Sequence, residues 1–344
     1  MTIALDLGAS VLRSIRVSGE RLAARSARAI YSAVEDAPAR RQMLEQLGMS
    51  YAICDGSIAV PGDAARDLAE LFHVPLLTLL PEGRLPQGDP PARQMLASLI
   101  DALLPPPSQA NELCAMTLPG NSGADLESET ARFFLQLVRL RGYSPLPILQ
   151  STALVLAELV NEGFTGIGMS FGSSACHVSL INRSREVATV CVEQAGSWID
   201  AQLAELGEQY IWDARGNKYL DEEAMRRWKE SGVAQLDEPT HCERERNLAR
   251  LYREVVENVV AKAGREFKEK LLLPDSWPAM SIVVSGGATR VRGFIPMLAQ
   301  TIREANWPIR VKQIRQAEDS DLTIARGALI HSELEAQSAM DKAA

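Results

Sequence analysis

Three short turns rich in glycine and serine each follow a strand-like run of the sequence. They are Asp6-Leu7-Gly8-Ala9-Ser10, Ser170-Phe171-Gly172-Ser173-Ser174 and Ser285-Gly286-Gly287-Ala288-Thr289. Glycine lets backbone N–H groups approach an anion closely, and serine hydroxyls add further donors. A single turn of this kind is most often only a turn. Two on hairpins and a third between a strand and a helix predict a site that clamps the phosphates of a nucleotide and holds its nucleoside end.

The first two turns lie on predicted β-hairpins. Residues 2–7 form an apolar run and residues 11–17 an alternating one. The link between them is too short for a parallel crossover, which needs a dozen or more residues, so the two strands must be antiparallel. The same arrangement returns at 165–171 and 176–181. This internal repeat of the hairpin pattern predicts a duplicated architecture.

The remaining segments have a mixed α/β pattern. Residues 20–50 are predicted to be helical or irregular, and prolines and glycines crowd a loop at 81–91. Residues 113–162 are predicted to form strand, helix, strand and helix in turn. The longest periodic helix is predicted at 244–270 and the last at 322–335, followed by a frayed tail.

Composition and charge exclude several classes of protein. The 344 residues include 36 Lys and Arg against 44 Asp and Glu, a net charge of −8. This balance argues against a nucleic-acid-binding protein, whose phosphate contacts need a basic face. The longest apolar runs are well short of the roughly 20 residues that span a bilayer. Five cysteines without a CxxC pair predict reduced thiols in a cytoplasmic protein.

The order and spacing of the motifs resemble the actin-like ATPase superfamily, which includes actins, bacterial actins, the nucleotide-binding domain of seventy-kilodalton heat-shock chaperones, and sugar kinases. Residues 3–8 resemble its first phosphate hairpin, and residues 285–290 resemble the chaperones' adenosine motif. Further similarities lie in Thr117-Leu118-Pro119, Gln150-Ser151-Thr152-Ala153, Gly196-Ser197-Trp198-Ile199-Asp200 and Ala325-Arg326-Gly327-Ala328. The resemblance covers nearly the whole chain.

The resemblance implies a two-lobed α/β fold, built from duplicated ribonuclease-H-like domains with a five-stranded sheet in each and a nucleotide cleft between them. The first lobe is expected at 1–150, with a small inserted subdomain at about 20–110. The second is expected at 151–335, with a small inserted subdomain at about 201–245. The closing helix at 322–335 is expected to pack back on the first lobe, and residues 336–344 to form a tail.

The resemblance also implies a role for individual residues. Asp6 would hold Mg²⁺ through water, and Gln150 would orient the attacking water, so these two are the expected catalytic residues. Arg13 stands where actins have a phosphate-binding lysine. The residues expected to contact ATP or ADP are Gly8, Ala9, Ser10, Arg13, Gly172, Ser173, Ser174, Gly196, Asp200, Gly286, Gly287 and Ala288. Asp200 has a second interpretation, as an ordinary acidic partner of a helix dipole.

The second turn departs from the family pattern, which reads Asp-x-Gly-Gly-Gly-Thr. Ser170 stands in place of the Asp that the family uses to bind the hydrated metal and polarise the water. Serine carries no charge near pH 7, so it neither attracts Mg²⁺ strongly nor readily takes a proton from water. Phosphoryl transfer depends on positioned charge, and we therefore expect slow or absent hydrolysis. His177 lies nearby in sequence and is interpreted as a strand residue.

Three functions are compatible with these residues. The first is an actin- or chaperone-like ATP-binding protein that works as a nucleotide-dependent switch or filament subunit, with a protein partner or a second copy as its target. The second is a degenerate scaffold that binds a partner protein in a membrane-associated assembly or division complex. The third, a sugar-kinase-like phosphotransferase, is weakest, because no catalytic Asp can be placed. Arg226, Arg227 and Lys229 are interpreted as a solvated helix face rather than as adenine contacts.

Overall fold

The structure is a computed structural model that describes residues 2–18, 21–54, 56–212, 216–237, 242–271 and 277–343. In chain order the strands are β1 (Ile3–Leu7), β2 (Val11–Ser18), β3 (Arg21–Arg28), β4 (Ile30–Glu35), β5 (Ala52–Cys54), β6 (Ser57–Pro61), β7 (Leu77–Thr78), β8 (Glu112–Thr117), β9 (Tyr143–Pro147), β10 (Gly166–Phe171), β11 (Cys176–Asn182), β12 (Arg185–Val192), β13 (Tyr210–Trp212), β14 (Lys218–Leu220), β15 (Met280–Ser285) and β16 (Val311–Gln316).

The helices surround these strands. They are α1 (Pro38–Gln46), α2 (Ala64–Phe72), α3 (Pro90–Leu103), α4 (Glu129–Leu140), α5 (Gln150–Glu158), α6 (Gly196–Leu206), α7 (Glu222–Glu230), α8 (Glu243–Lys270), α9 (Phe294–Glu304) and α10 (Thr323–Ala343). Short 3-10 helices lie at Pro81–Gly83, Gly120–Gly123, Val160–Glu162 and Gly287–Arg290. None of the described helices is both long and apolar enough to cross a membrane.

Two five-stranded sheets with the same topology form the body of the molecule. The first has the order β3-β2-β1-β8-β9 and the second β12-β11-β10-β15-β16. In each sheet the three strands that come first in the chain are antiparallel, and the last two run parallel to the central strand. Every residue of β1 and β10 is buried, as expected for central strands covered on both faces. The predicted duplicated, two-lobed α/β fold is confirmed.

Two helices join the halves of the molecule, which we define as residues 2–149 with the first sheet and residues 166–322 with the second. Helix α5 packs on β10, β11 and β15, and α10 packs on β1, β2 and β8. The two helices also cross each other. At the crossing a Cβ atom on Gly327 would lie 1.7 Å from the carbonyl oxygen of Ala153, so only glycine permits this approach. Helix α10 continues to Ala343, past its predicted end at 335.

Large apolar cores lie beside each sheet. The predicted helix at 244–270 is present as α8, and its apolar face is buried against the second sheet with α6 and α9. The first sheet packs against α3 and α4. A third cluster lies between the first sheet and the crossed helices and includes Ala4, Ala115, Ala153, Ala325 and Ala328. Small side chains at these positions let the helices lie close to the strands.

The connections carry two smaller sheets, one with the order β5-β6-β4-β7 and one formed by β13 and β14. The prediction that residues 20–50 are helical or irregular is wrong for 21–35, which form β3 and β4. The β3 sequence Arg-Leu-Ala-Ala-Arg-Ser-Ala-Arg has no β-branched residue that would signal a strand. Its conformation is set by pairing with β2 along its whole length, because tertiary contacts override weak local propensity.

Candidate functional site

A cavity of about 860 Å³ lies between the two halves. All fourteen residues proposed from the sequence line it, namely Asp6, Gly8, Ala9, Ser10, Arg13, Gln150, Gly172, Ser173, Ser174, Gly196, Asp200, Gly286, Gly287 and Ala288. They come from five separate parts of the chain. The fold therefore brings the two hairpin turns and the third loop to a single site.

The first turn joins β1 to β2 and begins with a charged residue, Asp6. The N–H of Gly8 donates to the carbonyl of Val11 at 3.1 Å, which closes the turn. Asp6 lies opposite Arg13 on β2 and opposite Thr117 on β8. Thr117 Oγ1 donates to Asp6 Oδ1 at 2.8 Å, and Arg13 Nη1 lies 3.7 Å from Asp6 Oδ2. Burial raises the pKa of Asp6, although Arg13 and Thr117 act to lower it.

The second turn joins β10 to β11 with the same backbone geometry and uncharged side chains. The N–H of Gly172 donates to the carbonyl of Ala175 at 3.0 Å. Ser170 lies opposite His177 on β11 and opposite Ser285 on β15. Ser170 Oγ donates to Gln150 Oε1 at 3.2 Å. Ser170, His177 and Ser285 thus take the places that Asp6, Arg13 and Thr117 have in the first sheet.

His177 is a strand residue, as interpreted from the sequence, and it also lines the cavity. Its Nε2 lies 2.9 Å from the carbonyl oxygen of Gly120. A carbonyl can only accept, so Nε2 carries the proton and Nδ1 holds the lone pair. Nδ1 has no hydrogen-bond partner among the residues that the structure describes. Burial lowers the pKa of His177, so the ring is neutral at pH 7.

A buried ion-pair cluster lies at another part of the cavity wall. Lys229 Nζ is 2.7 Å from Asp200 Oδ1, and Arg226 Nε is 3.5 Å from Asp200 Oδ2. Burial raises the pKa of Asp200, against the lowering effect of Lys229 and Arg226. The side chains of Arg226 and Lys229 are only 15% and 8% exposed and line the cavity, so their interpretation as a solvated face is wrong. Arg227 is 55% exposed and fits that interpretation.

The third loop lies directly on the end of β10. Gly286 has a φ of 109°, and a Cβ atom there would lie 2.2 Å from the carbonyl oxygen of Phe171. The loop can therefore approach the second turn this closely only because residue 286 is a glycine. Arg290, at the end of the following 3-10 helix, forms an ion pair with Asp321. Asp321 also lies 2.9 Å from Arg13 Nη2, which connects the third loop to the first turn.

The cavity lining is more basic than the chain as a whole. Seven basic residues line it, namely Arg13, Arg25, Arg28, Arg226, Lys229, Arg290 and Arg292. Five acidic residues do so, namely Asp6, Asp63, Asp200, Glu230 and Asp321. The chain carries a net charge of −8, so this excess of positive charge is local. A lining of this sign favours an anionic ligand.

The residues around Asp6 do not fit the predicted Mg²⁺ ion. Mg²⁺ takes oxygen ligands in near-octahedral geometry, usually with one or two carboxylates. Asp6 already accepts a hydrogen bond from Thr117 and faces Arg13, and the residue at 170 has no carboxylate. The described residues contain no cluster of three or more His, Cys, Asp or Glu that could hold a metal ion. Mg²⁺ at Asp6 stays a prediction that this geometry does not favour.

Comparisons with known proteins agree with this architecture. A family model described as Volactin matches residues 1–332. A search of curated protein sequences finds no match. Among similar solved structures, MamK in a double helical filament has a TM-score of 0.70 and 14% sequence identity, over 97% of this chain and 99% of that chain. MreB5 of Spiroplasma citri bound to AMPPNP has a TM-score of 0.67 and 13% identity, over 99% of this chain and 98% of that chain. The ethanolamine utilization protein EutJ from Carboxydothermus hydrogenoformans has a TM-score of 0.51 and 15% identity, over 95% of this chain and 88% of that chain. The predicted actin-like fold is confirmed.

Proposed function

This chain belongs to the Volactin family, and on that premise we propose that it binds ATP and ADP in the cavity between its two halves. The observation that carries the proposal is the pair of turns at 8–10 and 172–175, which repeat one backbone geometry and line one cavity. Backbone N–H groups in such turns and a basic lining both suit phosphate oxygens. Related structures of MreB5 from Spiroplasma citri are described as bound to AMPPNP and to ADP.

The two ends of the nucleotide would meet different residues. Gly8, Ala9 and Ser10 from the first turn and 172–174 from the second would contact the phosphates, and Arg13 would add a guanidinium. Gly286, Gly287 and Ala288 would lie against the nucleoside, near Gly196 and the buried Asp200. The cavity volume of about 860 Å³ is within the range of sites for ligands of this size.

Hydrolysis of bound ATP would be slow or absent. Gln150 would orient the attacking water, but its Oε1 already accepts the Ser170 hydroxyl. The second turn offers the uncharged Ser170 where the actin-like ATPase superfamily has an Asp, and the neutral imidazole of His177 lies beside it on the next strand. Neither group polarises water as a carboxylate does, although the lone pair on His177 Nδ1 is a weak base. Asp6 and Gln150 stay predicted catalytic residues, to be tested by phosphate release from ATP.

Nucleotide binding would control either a switch or self-assembly in the cytoplasm. The matched MamK structure is a double helical filament, which supports self-association as the output. Several ion pairs join the two halves across the cleft, among them Arg13–Asp321 and Arg66–Glu223. A ligand between the halves would change their separation and so the surfaces they present. Pelleting with and without ATP separates a filament subunit, which sediments, from a switch, which does not.

Calorimetric titration tests the proposed binding. ATP and ADP are titrated into the full chain with Mg²⁺ present, and AMP is the matched control. If the two turns hold the phosphates, ADP and ATP bind and AMP binds more weakly, because it lacks the β- and γ-phosphates. The absence of binding by both ATP and ADP at high micromolar concentration would remove the proposal.

The uncharged second turn favours one alternative, a scaffold that keeps the fold and binds a partner protein without turnover. In this case Ser170 and His177 would be structural residues, and the cavity would not cycle between ATP and ADP. Measurable ATP turnover that is abolished in Asp6→Ala would contradict the scaffold. Unchanged folding without nucleotide binding would support it.

A further inference from the structure

Arg13 is held between two carboxylates that belong to different halves of the molecule. Its Nη1 lies 3.7 Å from Asp6 Oδ2, and its Nη2 lies 2.9 Å from Asp321 Oδ1. The Arg13 side chain is only 20% exposed, so the guanidinium is confined to the cleft. A guanidinium fixed in this way can donate two hydrogen bonds in parallel to the oxygens of a phosphate.

The position across the cavity cannot supply a second acidic ligand. Ser170 stands at the matching point of the second turn, and its hydroxyl donates to Gln150 Oε1. A serine hydroxyl that donates in this way carries no negative charge toward a hard cation, which prefers carboxylate oxygens. Of the two turns, only the first therefore begins with a carboxylate residue, Asp6, and that carboxylate faces the positive charge of Arg13.

We infer that Arg13 replaces the divalent cation in this site, so that a nucleoside di- or triphosphate binds equally well with and without Mg²⁺. This inference rests on the proposed nucleotide binding and changes the form of the ligand from the metal complex to the free polyphosphate. The guanidinium and the N–H groups of the first turn neutralise and orient the phosphates. Arg28 and Arg290, which line the same cavity, add positive charge to its wall.

Asp321 acts as the counter-ion that the phosphate displaces. Its side chain is 54% exposed, and ion pairs at such exposed positions contribute little free energy. Release of Asp321 into solvent leaves no buried charge behind, whereas Asp6 stays in place to hold the other side of the guanidinium. Asp321 also pairs with Arg290, so the same displacement frees a second cation near the third loop.

The test compares calorimetric titrations of ADP in buffer with Mg²⁺ and in buffer with EDTA. The expected dissociation constants agree within about threefold, a difference below 1 kcal/mol. Binding with Mg²⁺ that weakens more than about tenfold in EDTA overturns the inference and leaves the proposed nucleotide binding standing. No binding in either buffer overturns both.

Variants identify the group responsible. Arg13→Ala is expected to weaken the binding of ADP about tenfold or more in both buffers, which is the loss expected when hydrogen bonds to a charged group are removed. Arg21→Ala, which removes the same charge from an exposed position outside the cavity, should bind as the wild type does. Ser170→Asp restores the carboxylate that the actin-like ATPase superfamily has at this position. It should weaken the binding of ADP in the EDTA buffer but not in the Mg²⁺ buffer. The inference is contradicted if Arg13→Ala binds ADP as tightly as the wild type does. It is also contradicted if the ratio of the ADP dissociation constants in EDTA and in Mg²⁺ is the same for Ser170→Asp as for the wild type.

Folding of these variants is checked by thermal unfolding. If Arg13→Ala does not fold, Arg13→Lys replaces it, because lysine keeps the charge but offers no planar fork. Arg13→Lys should bind ADP more weakly than the wild type in both buffers by the same factor. A loss confined to the EDTA buffer would show that Mg²⁺ carries the phosphates instead.

Discussion

In the first sheet Asp6 stands between Arg13 and Thr117 on the neighbouring strands, and in the second sheet Ser170 stands between His177 and Ser285. The backbone of the two turns is the same, with closing hydrogen bonds of 3.1 and 3.0 Å. Only the first set carries charge, because burial keeps His177 neutral. The duplicated fold fixes where the turns lie, and single side chains decide what each turn can do.

Each turn also contacts the opposite half, by different means. Arg13 in the first turn's hairpin pairs with Asp321, which precedes α10. His177 in the second turn's hairpin donates to the carbonyl of Gly120, which follows β8. The first contact can exchange with a charged ligand, whereas the second is a buried hydrogen bond between neutral groups. We therefore expect the first contact to respond to a ligand and the second to hold the halves together.

The largest effect should come from breaking the helix crossing that both halves share. Gly327→Val places side-chain atoms against the backbone of α5, where even a Cβ atom would lie 1.7 Å from the Ala153 carbonyl oxygen. We expect a loss of about 3 kcal/mol or more in the free energy of unfolding, measured by urea denaturation.

A second helical glycine provides the control for Gly327. A Cβ atom on Gly264 in α8 would have its nearest neighbour, Trp307, at an ordinary 3.6 Å. Gly264→Ala should therefore raise the free energy of unfolding by about 0.5 to 1 kcal/mol, the gain in helix propensity. Equal stability of Gly327→Val and the wild type would show that the helices do not cross as closely as described.

A smaller effect should follow when the first turn is made as neutral as the second. Burial raises the pKa of Asp6 above the unfolded value of 3.8. At pH values between 3.8 and the raised pKa, the native state therefore binds more protons than the unfolded chain does. The Asp6 carboxylate therefore lowers the free energy of unfolding as pH rises through this window. Asp6→Asn keeps an acceptor for Thr117 and should be more stable at pH 7 by about 1 to 2 kcal/mol. Urea titrations across pH should show the difference shrinking as pH falls toward 3.8; a constant difference would contradict this origin.

The second turn should show the opposite pH dependence, with an effect on stability smaller than that of the first turn. Burial lowers the pKa of His177 below 6.5, so the unfolded chain binds more protons just below that pH. The wild type should therefore lose stability as pH falls from about 6.5 toward 5, by about 1 kcal/mol, relative to His177→Gln. Glutamine keeps a donor for the Gly120 carbonyl. His331, whose pKa burial also lowers, titrates in both proteins and cancels in the comparison. Parallel pH profiles would contradict a buried, neutral His177.

Much of the fold could be predicted because its strongest signals are local. Two hairpins with short links must be antiparallel, and their repetition indicates duplication before any contact is known. Helix α8 carries an apolar face long enough to predict within one residue of its observed start. Strand β3 could not be predicted, since its alanines, serine and arginines form a strand only through pairing with β2.

The position of the candidate site could be predicted from the backbone turns that build it, whereas the charged groups that converge there could be predicted less well. The three glycine-containing turns were visible in the sequence, and all fourteen proposed residues line one cavity. Arg28 was missed because β3 was not predicted as a strand. Asp321 was missed because an acidic residue just before a helix is ordinary. The burial of Arg226 and Lys229 depends on Asp200 from another helix, so no pattern within α7 could indicate it.

The position of α10 on the first sheet has a consequence for folding during synthesis. Helix α10, which follows every other described strand and helix in the chain, covers β1, which precedes them. The nascent chain therefore keeps the apolar surface around Ala4 and Ala115 uncovered until α10 has been synthesised. The central strand of the first sheet is thus made early and covered late, and an apolar surface left open in this way is prone to aggregation.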